Sequence, residues 1–293
     1  MRHKLGILLT LLSTLALGAC GSETETPSSA DQPATLRTGP RHANITVPGG
    51  DIRFGMELSR GDDQLEVTLI IGSERVRVPE VSLDDDRLVL RFPAFNNEIR
   101  ARVRDGQLSG TLTLVKRYGK TQAMPFVAIP GARPVAEDVV PAKGDLSGRW
   151  AVTFTEPDGT QYPAVGEFSQ RGNRLLGTFL TQTGDYRYLG GSVSGRNFEL
   201  STFDGAHAFL FKASADDNGE LTGQFWSGTQ YEESWTGLRD EAAKLADPTT
   251  LTALKAGYDR FTFEFPDLDG NPVSIDDPQF AGKTLGEILL EPT

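Results

Sequence analysis

From residue 145 to 238 apolar and polar positions alternate in short runs separated by turn residues. The runs 148–155, 162–170, 174–181, 186–193, 198–202, 206–213, 221–226 and 231–238 read as strands. Alternation is clearest in Trp150, Val152 and Phe154, and in Phe198 and Leu200, where every second residue is apolar. Asp158-Gly159, Arg171-Gly172-Asn173 and Asp217-Asn218-Gly219 supply the residues that tight hairpins need at positive φ. The 32 glycines and 17 prolines fit many short strands joined by turns. The expectation is an all-β chain of antiparallel meanders. A small closed or nearly closed barrel is favoured because closure removes sticky edges, and a sandwich of the same strands is the alternative.

The pattern occurs twice. Residues 49–58 lie 110 positions before 159–168, and 64–70 lie over 174–180 at the same offset. Residues 87–90 lie over 197–200, and with small gaps 105–110 lie over 218–223 and Phe126 over Trp235. Five pairings in order mark two tandem copies of one β module, 44–128 and 145–238. The steps Leu108-Ser109-Gly110 and Leu221-Thr222-Gly223 are expected to mark kinks or close backbone approach. A Pro-rich linker, 129–144, joins the copies through Pro130, Pro134 and Pro141.

After Arg239 the pattern changes, and 239–293 forms a separate tail. Asp247-Pro248 has the cap and first-turn residues of a short helix, Leu251 and Leu254 share a face, and Gly257 ends it. Phe261, Phe263 and Phe265 then alternate as a strand, Asp269-Gly270 turns it, and 272–275 returns. The run from Phe263 to Lys283, with Asp267-Leu268-Asp269-Gly270, Val273-Ser274-Ile275, Phe280 and Gly282-Lys283, resembles the opening hairpin of TlpA-like thiol-disulfide oxidoreductases of the redoxin, thioredoxin-like class. That resemblance implies an incomplete thioredoxin-like lead-in. The family places a Trp-Cys-x-x-Cys motif next, and no position here matches it, so no catalytic residue carries over.

At the other end, Arg2 and Lys4 precede an apolar run from Leu5 to Leu17, and Leu17-Gly18-Ala19-Cys20 follows. The run is shorter than the ~20 residues of a spanning helix and has the order of a secretory signal. With its cysteine at the cleavage point it resembles the lipobox of bacterial lipoproteins, which implies a signal peptide over 1–19 and a lipid anchor on Cys20. Gly21 follows where aspartate would favour the inner membrane, so the resemblance implies the outer membrane, facing the periplasm. The polar stretch 20–43 reads as a disordered tether. Lipidation would consume the only cysteine and leave no thiol for catalysis, disulfide or metal.

Loss of Arg2 and Lys4 takes the net charge from −11 to −13, which argues against nucleic acid as a partner. Asp84-Asp85-Asp86 and Asp267-Leu268-Asp269-Gly270 lack the ligand spacing of a calcium loop and read as turns. No Ser-His-Asp order, phosphate loop or metal-spaced histidine pair is present, so no catalytic residue, metal or cofactor is assigned. The second copy has a denser polar and aromatic set: Asp204, His207, Trp226, Tyr231, Glu232, Glu233 and Trp235. A carboxylate could charge or orient His207, and Trp and Tyr near a barrel mouth would suit an apolar or ring-shaped ligand. Alternatively the tryptophans close the core and His207 meets a backbone carbonyl. The functional expectation is a membrane-anchored lipoprotein whose modules bind or scaffold a periplasmic protein or small ligand. The alternative is a thiol-disulfide oxidoreductase whose catalytic domain is missing from this chain.

Overall fold

A computed structural model describes residues 36–62, 64–131, 140–251 and 253–283. The signal and Cys20 lie outside these residues. The first module has nine strands: β1 (Gly39–Val47), β2 (Gly50–Arg60), β3 (Leu65–Ile71), β4 (Glu74–Arg77), β5 (Glu80–Asp84), β6 (Arg87–Phe92), β7 (Asn97–Arg104), β8 (Gln107–Val115) and β9 (Thr121–Pro130). The second repeats the count with β10 (Gly148–Thr155), β11 (Gln161–Arg171), β12 (Arg174–Thr181), β13 (Gly184–Asp185), β14 (Leu189–Ser194), β15 (Asn197–Phe203), β16 (Ala208–Ala215), β17 (Leu221–Ser227) and β18 (Tyr231–Arg239). Among the described residues there is no α-helix.

The two sheets follow one plan. In each, neighbours in sequence pair as antiparallel meander strands, and the first strand closes onto the last: β1 on β9, β10 on β18. The copies part at a single seam. In the second, β12 pairs with β14 and completes an eight-stranded barrel, with β13 a short arm beside β12. In the first, β4 and β5 stay at opposite edges, which leaves a curled half-barrel. Both edge strands are rich in charge, Glu74-Arg75-Val76-Arg77 and Glu80-Val81-Ser82-Leu83-Asp84, which discourages pairing with another chain.

Period-two burial builds both cores. Phe54, Met56, Leu69, Leu90, Ile99, Leu112 and Phe126 fill the half-barrel. Phe203, Ala208 and Leu210, from the outer face of β15 and β16, join the same cluster, and Trp226 packs against it. Phe203 sits 5.5 Å from Phe54 and 5.6 Å from Phe92 between ring centroids. Around this contact Asn97 donates to the Gly205 carbonyl (2.9 Å), Lys212 to that of Gly49 (2.7 Å) and Arg174 to that of Gly72 (3.1 Å). The second core is aromatic: Phe154, Phe168, Phe179, Phe198, Phe211, Phe225 and Trp235 fill the barrel. Leu146 and Trp150 close one end, with the Arg239 guanidinium 4.6 Å above the Trp150 ring.

Three expectations shift. β1 starts at Gly39, inside the stretch read as tether, because one of its inward residues is charged: buried Arg41 donates to the carbonyls of Arg37 and Gly106. The helix expected after Asp247 is a single 3-10 turn, Pro248–Thr250, in which the Thr250 hydroxyl donates back to the Asp247 carbonyl. Its two leucines, Leu251 and Leu254, are exposed and have no surface to pack on, so nothing sustains further turns. In the tail, β19 (Glu264–Pro266) and β20 (Pro272–Ser274) pair, among the described residues, only with each other, while Phe263 stacks on Phe265 and meets Phe280 edge-on. The acidic runs serve turns: Asp85 takes φ 50°, and the Asp267 carboxylate accepts from the Asp269 and Asn271 amides.

The Leu-x-Gly steps answer to two causes. A Cβ on Gly110 would strike the Arg100 carbonyl of the neighbouring strand, a close backbone approach. A Cβ on Gly223 would instead strike the Trp235 indole, so that glycine makes room for a core ring.

Candidate functional site at the mouth of the second barrel

The end opposite Leu146 and Trp150 is built from the turns after β10, β12, β15 and β17. Alternation along β18 sends Tyr231, Glu233 and Trp235 inward and Glu232 outward, since all four follow in strict two-residue phase. Glu233 is thereby carried into an aromatic interior and is only 2% exposed. Its carboxylate accepts hydrogen bonds from Tyr162 on β11 (2.6 Å), Tyr231 (3.1 Å) and Tyr186 in the β13–β14 connection (3.4 Å). The Tyr162 and Tyr186 hydroxyls are themselves 3.1 Å apart.

Rings hold the hydroxyls in place. Tyr162 stacks on Phe154 at 5.2 Å, and Tyr186 meets Phe209, Phe211 and Phe225 edge-on at 5.0–5.4 Å. Among the described residues no basic side chain pairs with Glu233. Burial pushes its carboxyl above the usual glutamate range; the three tyrosine hydrogen bonds oppose the shift and the Glu156 carboxylate adds to it. Burial, with the Glu233 carboxylate beside them, pushes the phenols up as well. Tyr186 reaches about 12, and Tyr162 and Tyr231 are also raised. These phenols are driven away from phenolate, so none is activated as a nucleophile or base near neutrality. The cluster can donate hydrogen bonds and hold one proton on Glu233.

The residues singled out from sequence fall into three places. Asp204 and His207 sit together in the β15–β16 turn. The Asp204 carboxylate accepts from the amides of Ala206 (2.9 Å) and His207 (2.8 Å), meets His207 Nδ1 at 3.2 Å and pairs with Arg187 at 3.1 Å. Burial alone would raise its pKa, but the His207 contacts outweigh burial and hold it at about 2. The His207 ring lies 4.9 Å from Phe209. Trp226 and Glu232 lie on the outer wall, where the indole donates to the carboxylate at 2.9 Å beneath Gly49 of the first module. Tyr231 lies at the mouth, and Trp235 is buried in the core with its indole N–H unpartnered. The structure therefore joins Asp204 to His207, Trp226 to Glu232 and Tyr231 to Glu233, and leaves these pairs apart.

Tyr162 and Tyr186 did not stand out in the sequence. A signal existed: Glu233 keeps phase with Trp235 on an inward face, so an acid had to be buried and needed donors. Those donors come from strands β11 and the β13–β14 connection, far away in sequence.

The chain matches no protein-family model and no curated protein sequence. Among solved structures it has a distant likeness to a Bacteroides fragilis protein described as "a putative outer membrane protein", with 10% sequence identity and a TM-score of 0.24. The match covers 68% of this chain and 96% of that one. A likeness of that degree carries no argument about function, and nothing in the comparisons supports the redoxin resemblance of the tail.

Proposed function

We propose that this is a lipid-anchored protein of the bacterial cell envelope, held at the outer membrane facing the periplasm, whose paired β modules bind or scaffold a partner without catalysis. The observation that carries the reading is the order of the first twenty residues: basic start, short apolar run, and Leu17-Gly18-Ala19 before the chain's only cysteine. Several acyl chains, each burying many methylenes at ~0.8 kcal/mol apiece, make an anchor that does not readily dissociate. The mouth of the second barrel is in keeping with the non-catalytic half of the reading: its phenols are moved away from phenolate, and the Glu233 carboxylate is already met by three tyrosine donors.

Fractionation tests the anchor. Wild-type protein expressed in a bacterial host is expected in the detergent-soluble membrane fraction, while Cys20→Ser is expected either in the soluble fraction or unprocessed. Unchanged detergent-dependent fractionation of Cys20→Ser would remove the proposal.

A further inference from the structure

The turns of the first module divide by charge between its two ends. At one end 61–64, 85–86 and 105–106 carry Asp62, Asp85, Asp86 and Asp105 and no cation. Strands β1, β3, β6 and β8 run toward the other end, where the turns are 48–49, 72–73, 93–96 and 116–120. These hold no acid, and the last reads Lys116-Arg117-Tyr118-Gly119-Lys120 in a chain of net charge −11. The nine residues of β8 separate the ends by about 30 Å, well beyond the ~8 Å screening length, so the distant acids do not cancel these cations. The mouth of the second barrel, beside this end, keeps acids at Glu156 and Asp158, so the cationic face belongs to the first module alone.

Among the described residues none of the three cations pairs with an acid, whereas Arg87, Arg91, Arg100 and Arg102 on the nearby β6 and β7 all do. Lys116 is half-buried, and burial lowers its ammonium below the usual lysine range, so an anion beside it would relieve an uncompensated charge. Two rings accompany the cations. Tyr118 is 88% exposed at the tip of this turn, and Phe95 is 50% exposed at the tip of 93–96. The tips are neighbours, because the Val115 amide donates to the Asn97 side chain at 2.7 Å. The turn itself does not call for a tyrosine. Tyr118 takes φ 60° and Gly119 φ 70°, a pair of left-handed positions that hairpins normally fill with Asn-Gly. Of the five non-glycine residues at positive φ among the described residues, three are Asp or Asn, and a bulky ring there is an outlier. A strained, solvent-facing ring between cations points to a contact outside the fold.

We propose that the 116–120 turn, with Phe95 beside it, docks on the anionic phospholipid surface of the membrane that holds the chain. Lys116, Arg117 and Lys120 meet headgroup phosphates, and the two rings enter the interface, where amphipathic aromatics flanked by cations are at home. Two exposed tips suit a surface that yields around them, whereas a folded acidic partner would need a recess for each ring. The choice of a bilayer rests on the lipid-anchored reading. Gly39 is nineteen positions beyond Cys20, a reach of up to about 65 Å. The nine residues of β1 place this end about 30 Å from Gly39, so the chain is long enough to bring it back to the membrane.

Vesicle co-sedimentation of the chain from residue 21 to 293, made without lipid and holding every described residue, tests the surface apart from the anchor. Because no acyl chain is present, a failed anchor and a failed surface give separate results. Vesicles of phosphatidylglycerol and phosphatidylcholine in equal parts are expected to bind about tenfold or more tighter than phosphatidylcholine alone, and the preference should fade at high salt. The triple variant Lys116→Gln, Arg117→Gln, Lys120→Gln is expected to lose that preference. Tyr118→Asn gives the turn the residue its backbone favours, so Tm should hold or rise while vesicle binding falls about threefold or more. Asp105→Asn, at the opposite end, should bind as wild type does. Equal binding to both vesicles, or full binding by the triple variant or by Tyr118→Asn, would overturn the proposal. So would self-association in sedimentation velocity that the triple variant abolishes, without vesicle binding, which would make the turn a contact between copies.

Discussion

Phe203→Ala probes the joint between the two modules. Phe203 belongs to a strand of the second barrel, yet its ring is wholly buried in the first module's core, beside Phe54 and Phe92. Removing the ring exposes no new surface on the barrel interior, so the damage falls on the half-barrel. A buried aromatic contributes 150–250 Å² of apolar area, about 4–6 kcal/mol at ~25 cal/mol/Å². Measured Phe→Ala losses in cores run about 3–5 kcal/mol, and the two figures agree. For a body of this size that corresponds to roughly 6–20 °C in Tm. Hydrogen exchange followed strand by strand reads the location. Amides of β2, β3 and β6 should lose protection first, while those of β11 and β12 keep theirs. A loss under about 1 kcal/mol, or uniform deprotection of both modules, would refute the claim that the half-barrel takes part of its core from the barrel.

Glu233→Gln tests the mouth. A carboxyl raised above its ordinary value of 4.5 binds its proton more tightly in the folded state, so its contribution is fully present below 4.5 and lost as pH rises through the elevated folded value. Wild-type stability in urea should therefore fall across that window, and Glu233→Gln should remove this component of the slope; an identical slope in the variant would contradict the burial argument. Gly191→Ala would drive a Cβ onto the Glu199 carbonyl of the paired strand, for an expected loss of about 1–3 kcal/mol or more in thermal unfolding, against less than about 0.5 kcal/mol for Gly144→Ala, which has open space. Equal losses at the two glycines would show that the barrel wall has slack there.

The strands were legible because burial has period two. Residues 148–155 and 174–181 are strands to the residue, and the others in that module differ by a few positions at their ends. The repeat was legible too, since glycine turns and inward apolar positions recur at one spacing. What stayed hidden is non-local. Closure of β12 on β14 has no counterpart in β3 and β5, and no local pattern announces that difference. Arg41 hid the first strand because a buried guanidinium satisfied by two carbonyls reads as a surface residue. At the mouth, Glu233 and Tyr231 were visible side by side, but Tyr162 and Tyr186 joined them only through the barrel's curvature. Phe203, Ala208 and Leu210 point outward from a barrel and would be taken for misplaced surface residues until the first module is laid over them.

The pairing of first strand with last also governs the order in which an emerging chain can acquire structure. β1 cannot find β9 until Pro130 has emerged, and β10 waits in the same way for Arg239. Contacts of such sequence separation are slow to form, because the loop between them must close before any burial repays it. The first module waits longer still for the side chains that complete its core, Phe203, Ala208 and Leu210, which lie about seventy to eighty residues beyond its own last strand. An emerging chain therefore passes most of its length as an open meander, with its edges unpaired and no finished unit behind it.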